Sequence, residues 1–267
     1  MQGLLSTAWL IPHWPDAPSN IGALSTLRSG GISHAPYCSG DGSGEGGFNL
    51  GVHVGDDAVS VQHNRALLQA ALPGRPAWLT QVHGNLVLDA AEVGSNEPAP
   101  VADASFATAR GAVCAILTAD CLPVLLSDAQ GGVVAAAHAG WRGLAGGVLS
   151  ETLAAMRARG AGEILAWLGP AIGLRQFEVG SDVFKAFMDG VVDDFGATQV
   201  AAAFAALEGR PGKYLADIYA LARCALAQDG VQRIAGGQYC TVSEPLRFYS
   251  YRRDGITGRQ ASLIWRK

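Results

Sequence analysis

The sequence predicts an α/β (α+β) fold: one domain with a mixed sheet layered by helices. Three observations carry this expectation. Apolar runs of strand length recur along the 267 residues, with helical patterns between them. Apolar residues make up 49% of the chain and charged residues only 16%, below the roughly 25% usual for soluble domains, so much of the chain has to be buried or small. No Pro/Ser-rich or highly charged linker divides the chain, and no internal repeat is visible.

The elements follow in order. Ile21 to Arg28 alternates weakly and predicts a strand running into a turn at Ser29-Gly30-Gly31. The stretch 38–47 is too rich in glycine for regular structure and predicts a mobile surface loop, without the spacing of a phosphate-binding fingerprint. Asp56-Asp57 offers an N-cap for a helix over 57–72 that Pro73-Gly74 closes. Strands are expected at 77–82, 85–90, 103–108, 112–118, 122–127 and 132–138. A helix is expected over 144–159, with Leu149, Leu153 and Met156 on one face and Gly160 as its stop. A strand at 164–168 follows, then helices near 181–189, 199–207 and 212–228, and short strands at 237–242, 246–251 and 260–265.

Charge and cysteine usage narrow the function. A net charge of −4 gives no basic field for nucleic acid or an anionic membrane, so an anionic substrate would need a local cluster of arginines. The five cysteines include no CxxC pair, which argues for a reducing compartment. The apolar stretch Leu4 to Ile11 lacks the basic flank and cleavage pattern of a signal peptide, and no apolar run reaches the roughly 18 residues of a membrane span. A soluble cytoplasmic protein is expected, with its oligomeric state left open.

Three motifs carry the chemistry: Thr80-Gln81-Val82-His83-Gly84, Ala119-Asp120-Cys121-Leu122-Pro123 and Ala137-His138-Ala139-Gly140-Trp141-Arg142-Gly143. Each sets a metal-capable or nucleophilic side chain where an apolar run breaks into a turn, the place where a rigid scaffold presents function. Taken singly, each histidine reads as readily as a structural residue, and Cys121 as an inert buried thiol like Cys114 and Cys224. Jointly, His83, Cys121 and His138 supply three ligands of a tetrahedron and leave one position open, the pattern of a catalytic metal site. They lie too far apart for the local pairs of a zinc finger, so they must converge through tertiary structure. Asp120 would be costly to bury unpaired and is the nearest acid/base candidate. Arg28, Arg142 and Arg253 are candidates to hold phosphate bidentately, although exposed arginines are more often solvated surface. His53, within Asn49-Leu50-Gly51-Val52-His53-Val54-Gly55-Asp56-Asp57, is a further candidate, with a helix-start role for this stretch equally open.

These motifs, with NLGVHVGDD and the C-terminal FYSYRRDGITGRQASLIW, resemble a bacterial family long called multicopper (laccase-like) polyphenol oxidase or peptidoglycan editing factor, and now usually described as purine nucleoside phosphorylase. The resemblance runs from about Ser25 to the C-terminus and departs from the family mainly at 38–47, where an insertion precedes NLG. It implies a single catalytic domain over 1–267 with four layers, α/β/β/α, and one zinc on His83, Cys121 and His138. It further implies phosphorolysis of adenosine, inosine, guanosine and methylthioadenosine, together with deamination of adenosine.

Two mechanisms fit such a site. Zinc could activate water for attack on C6 of adenine with Asp120 as acid/base partner, or Arg28 and Arg253, with Arg142 as the next candidate, could hold phosphate for attack on C1′. A metal-free alternative makes Cys121 a nucleophile activated by His138, as in a cysteine-type amide hydrolase acting on peptidoglycan precursors. A copper polyphenol oxidase is the reading from another redox class. Two imidazoles and a thiolate also describe a blue-copper centre, but Met1, Met156 and Met188 lie outside the motifs and six histidines are few for a laccase.

Overall fold

Strand-length apolar runs assemble into two stacked sheets with helices outside both. The computed structural model describes residues 9–94, 98–191 and 193–267, so most of the apolar stretch Leu4 to Ile11 lies outside the described residues. In chain order the elements are β1 (Trp9–Leu10), β2 (Ile21–Thr26), β3 (Ser29–Ser33), α1 (Ala58–Gln69), β4 (Pro76–Ala77), β5 (Val87–Asp89), β6 (Ala104–Ala107), β7 (Val113–Thr118), β8 (Leu122–Asp128), β9 (Val134–Ala139), α2 (Trp141–Ala145) and α3 (Val148–Ala158). They continue with β10 (Ile164–Leu168), β11 (Glu178–Gly180), α4 (Ser181–Met188), α5 (Asp194–Ala202), β12 (Phe204–Ala206), β13 (Lys213–Ala216), α6 (Ile218–Gln228), β14 (Arg233–Gly236), α7 (Tyr251–Asp254) and β15 (Gln260–Arg266).

One sheet runs β1-β2-β15-β7-β4 and the other β14-β10-β8-β9-β6-β5, both with mixed strand directions, and a small third sheet orders β11-β13-β12. The period of two along each strand sorts the core. On β7, Val113, Ala115 and Leu117 pack outward with Leu68 of α1 and Phe48, while Cys114 and Ile116 face Leu125, Val134, Ala136 and Trp167 of the other sheet. The outer face of the second sheet, including Val124, Leu126, Ala135 and Ala137, is covered by Leu149, Leu153, Leu221 and Leu226 of α3 and α6. Burying each such branched side chain stabilises by about 1.5–3 kcal/mol. The result is the expected single domain with four layers, α/β/β/α.

Several expected elements shift for local reasons. The helix expected over 144–159 divides, because Gly147 takes φ 83° between α2 and α3. The start of the helix expected over 212–228 is instead β13, and Asp217 caps α6 by accepting from the N–H groups of Tyr219 and Ala220. The helix expected at 199–207 lies earlier, as α5, and Phe204 to Ala206 form β12. The strand expected at 237–242 ends before it would begin, as Gly236 and Gly237 both have positive φ. The turn at Ser29 to Gly31 is part of β3, and 246–251 is irregular chain leading into α7. The stretch 38–47 lies at the surface with its backbone tied down: Ala35 donates to Gly44 O, Ser39 to Glu45 O and Gly30 to Gly46 O. Among the described residues no helix is long and apolar enough to cross a membrane.

Candidate active site

The stacked sheets bring the three motifs together at one end. His138 occupies the last turn of the strand pattern in β9 and shares the inward face of Val134 and Ala136, so its ring emerges between the sheets. Cys121 lies where the chain leaves β7 of one sheet and enters β8 of the other, a three-residue crossing in which Asp120 adopts φ 97°. His83 sits in the irregular segment that replaces most of the strand expected at 77–82. That segment cannot continue as a strand because its N–H groups are drawn elsewhere: Val82, His83 and Gly84 all donate to the carboxylate of Asp103, at 3.1, 2.9 and 2.7 Å. His83 itself takes φ 62°. Positive φ at two non-glycine residues beside one cluster is the local strain that functional sites hold in place.

Asp103 also fixes the third ligand. It lies opposite His138 on the neighbouring strand, accepts from Nδ1 at 2.8 Å, and its carbonyl accepts from the His138 N–H at 2.7 Å. A carboxylate only accepts, so Nδ1 carries the proton and Nε2 is left to face Cys121 and His83. The arrangement favours a thiolate–imidazolium pair. Burial opposes the charge on Cys121, but the charge and hydrogen bond of His138, joined by His83, outweigh it and draw the thiol below its ordinary range. Burial likewise opposes the charge on His138, and Cys121 and Asp103 outweigh it and raise the ring. Cys114 has no such neighbours, and burial pushes its thiol up to about 12, as befits an inert core cysteine.

The donor set fits a metal ion. The ligand atoms of His83, Cys121 and His138 all lie within 4.8 Å of one another, and Cys121 Sγ is 3.7 Å from His83 Nε2. Tetrahedral zinc, with bonds of about 2.3 Å to sulfur and about 2.0–2.1 Å to nitrogen, sets sulfur and nitrogen roughly 3.6 Å apart. Gly140 leaves room for this cluster, since a Cβ there would stand 2.8 Å from His83 Cδ2 and 3.0 Å from Cys121 Sγ. Its φ of −60° suits any residue, so only space demands glycine. Gly140→Ala is therefore expected to keep the fold but to weaken metal binding at least tenfold, measured by competition with a chelator; unchanged affinity would show that the cluster has slack.

Two cavities open onto the triad. The larger, about 660 Å³, is lined by His53, Arg65, Trp78, Thr118 and Arg259 besides the three ligands. The smaller, about 280 Å³, is lined by Trp141, Arg142, Phe177 and Arg252 along with His83, Asp120 and Cys121. His53 and Arg142 thus lie at the site, one in each cavity. Arg28 and Arg253 do not. Arg28 is buried, with Nε donating to Cys38 O, and with the carbonyl of Pro245 and the carboxylate of Asp254 beside its Nη1. Arg253 donates to the carbonyls of Thr241, Val242 and Phe248 and to Asp254. Both brace the irregular C-terminal segment, whose unpaired carbonyls need donors, and neither lines a cavity at the triad. Asp120 is near the site but committed: one carboxylate oxygen accepts from Thr241 Oγ1 and the other from the Arg252 N–H, both at 2.6 Å. It positions the crossing that carries Cys121, and both of its oxygens are engaged where an acid/base partner would need one for substrate.

Three residues not singled out in the sequence complete the site. Asp103 had a signal, as the one carboxylate inside the apolar run Val101 to Ala107. Arg259 falls within the C-terminal motif; burial lowers its pKa, and Cys121 and Asp120 are the charges that oppose the shift. Arg65 lies 4.4 Å from the Trp78 ring centroid and donates to Leu50 O. Burial together with Arg259 and Arg65 lowers the pKa of His53, the mark of a crowded cationic pocket.

Comparison with known proteins agrees with this geometry. A family described as multi-copper polyphenol oxidoreductase laccase matches residues 22–267. A purine nucleoside phosphorylase of Escherichia coli, YfiH, is 50% identical over 258 residues, covering 96% of this chain and 98% of its own length. A purine nucleoside phosphorylase of Pseudomonas aeruginosa is 48% identical over 260 residues, covering 97% and 98%. Among solved structures, a Neisseria meningitidis protein superposes with a TM-score of 0.86 at 46% identity, covering 97% of this chain and 99% of that one. YlmD of Geobacillus stearothermophilus does so with a TM-score of 0.84 at 30% identity, covering 98% and 97%.

Proposed function

The chain belongs to the family described as multi-copper polyphenol oxidoreductase laccase, and from that premise we propose that its single domain is a zinc-dependent purine nucleoside phosphorylase that acts on adenosine, inosine, guanosine and methylthioadenosine and also deaminates adenosine. The observation that carries this reading is the pairing of three residues able to hold a metal with a cavity whose lining, among the described residues, includes His53, Arg65 and Arg259 and no carboxylate. Nucleosides and phosphate are the substrates in the names of the relatives, and such a pocket is built for an anion. A bound zinc would supply Lewis acidity and bring the pKa of a water that it holds toward about 7.

The chain's own residues do the rest. Arg259 and Arg65, with His53, hold phosphate in the larger cavity, in the role expected of Arg28 and Arg253. One phosphate oxygen bonds to C1′ as the C1′–N9 bond breaks; the base departs with that electron pair and takes up a proton from water. Asp103 keeps the His138 ring turned toward the centre throughout. In deamination, water adds at C6 and ammonia leaves, and no phosphate takes part. A cytoplasmic location fits this substrate class and the five cysteines, none of which forms a disulfide.

Copper oxidation is the weaker reading. The donor set suits a blue-copper centre, but among the described residues no methionine lines either cavity to serve as the axial ligand.

The test is product analysis on the metal-loaded protein: cleavage of adenosine or inosine is expected to require phosphate and to yield ribose 1-phosphate, while adenosine converts to inosine without it. Arg259→Ala is expected to lower phosphorolysis about 10²-fold and deamination far less, since a charge-assisted contact to the phosphate contributes roughly 1.5–3 kcal/mol. Arg28→Ala should instead lower both activities in step with the folded fraction. Phosphate-independent cleavage, or equal losses in Arg259→Ala, would overturn the assignment of the anion pocket.

A further inference from the structure

The two cavities share His83, Ala119, Cys121 and Tyr251 in their linings, so they meet at the metal ligands, yet they differ in character. Among the described residues the larger has a cationic lining without a carboxylate. The smaller balances Asp120 against Arg142 and Arg252 and is otherwise dominated by aromatic and aliphatic side chains. A displacement at C1′ has a matching asymmetry: a charged nucleophile approaches one side of the carbon while a flat, neutral base departs from the other. Two pockets that meet at one reactive centre are what this geometry demands.

Within the phosphorylase reading, we infer that the purine base occupies the smaller cavity, with Trp141 and the guanidinium of Arg142 as its stacking platform and as the determinant of base affinity. The Arg142 guanidinium lies over the Trp141 ring, 4.2 Å from its centroid, so the two stack and the outer face of the pair is a planar surface of the kind on which nucleobases stack. Trp141 is half-buried and stands at the start of α2, directly after Gly140, so the platform is fixed to the backbone that frames the metal ligands. Arg252 is held beside Phe177 by the carbonyls of Gln176 and Glu178, which closes the far wall with a group already engaged. A volume of about 280 Å³ accommodates one bicyclic ring.

The experiment measures adenosine binding to the metal-loaded protein by calorimetry in phosphate-free buffer, and the KM for phosphate in phosphorolysis, for the wild type, Trp141→Ala and Trp141→Phe. Trp141→Ala is expected to weaken adenosine at least tenfold, as loss of a base–aromatic stack does, with the phosphate KM and the metal content unchanged. Trp141→Phe should recover most of the affinity. If Trp141→Ala binds adenosine as the wild type does, or if it raises the phosphate KM instead, the base lies elsewhere and the inference falls while the phosphorylase reading stands. If wild-type protein that retains its metal binds no adenosine, the nucleoside reading itself fails and takes the inference with it.

Discussion

Cys121→Ala is expected to abolish both phosphorolysis and deamination and to empty the metal site while the chain stays folded. The thiolate is the one anionic side chain of the three, and its charge, together with Asp103, raises His138. If the roughly 10–16 kcal/mol of a structural zinc site divides evenly among four ligands, one ligand contributes about 2.5–4 kcal/mol, on the order of 10²–10³-fold in affinity. Fold survival is expected because Cys121 is only half-buried and belongs to the lining of two cavities, so truncation leaves no sealed void in the core. Elemental analysis of the purified variant, paired with its melting curve at saturating and at limiting metal, checks the outcome. Full occupancy in this variant would remove Cys121 from the ligand set. Lost metal with retained activity would favour chemistry that does not need the ion.

The second large effect is expected at Asp103, and it separates positioning from ligation. Four donors converge on this fully buried carboxylate: three backbone N–H groups of the His83 segment and Nδ1 of His138. In Asp103→Asn one acceptor oxygen becomes an NH₂ group facing donors, so at least one buried N–H loses its partner at a cost of about 1–3 kcal/mol. The ring of His138 also loses the negative charge beside its Nδ1, and changes of this kind typically cost 10–100-fold in metal affinity or activity. Asp103→Asn should therefore be less stable than the wild type even without metal, and weaker in metal binding by about that factor. A purely structural role would lower stability alone. Comparing chelator competition with denaturant unfolding of the metal-free proteins distinguishes the two, and unchanged metal affinity would assign Asp103 to the fold only.

The contrast between Asp103 and Arg28 shows what the sequence could and could not convey. A sheet layered by helices was legible because β7, β8, β9 and β10 are largely apolar runs, buried on both faces, whereas its division into four layers came from the family resemblance; the candidate ligands stood out because each ends or follows such a run. Convergence of His83, Cys121 and His138 then followed from the stacking of those strands. Arg28 and Arg253 misled because an arginine that braces irregular backbone has the same sequence signature as one that binds phosphate; Arg65 and Arg259 donate to carbonyls too, and what sets them apart is that they line the cavity beside the triad. Asp120 misled differently: adjacency to Cys121 in sequence aimed its carboxylate away from the centre, since the positive φ that turns the chain between the sheets sends neighbouring side chains to different sides. Asp103 stands out as a carboxylate inside an apolar run, but its tie to His138 lies in the cross-strand pairing of β6 with β9, a non-local relation that periodicity does not encode.

The placement of β15 ties the far end of the chain to the candidate site. β15 supplies the hydrogen-bonded link between β2 and β7. Without it β7 would pair only with the two residues of β4, and the crossing that carries Cys121 would hang from an unfinished sheet. A chain shortened before Gln260 is thus expected to lose the fixed geometry of His83, Cys121 and His138 although it still contains all three residues.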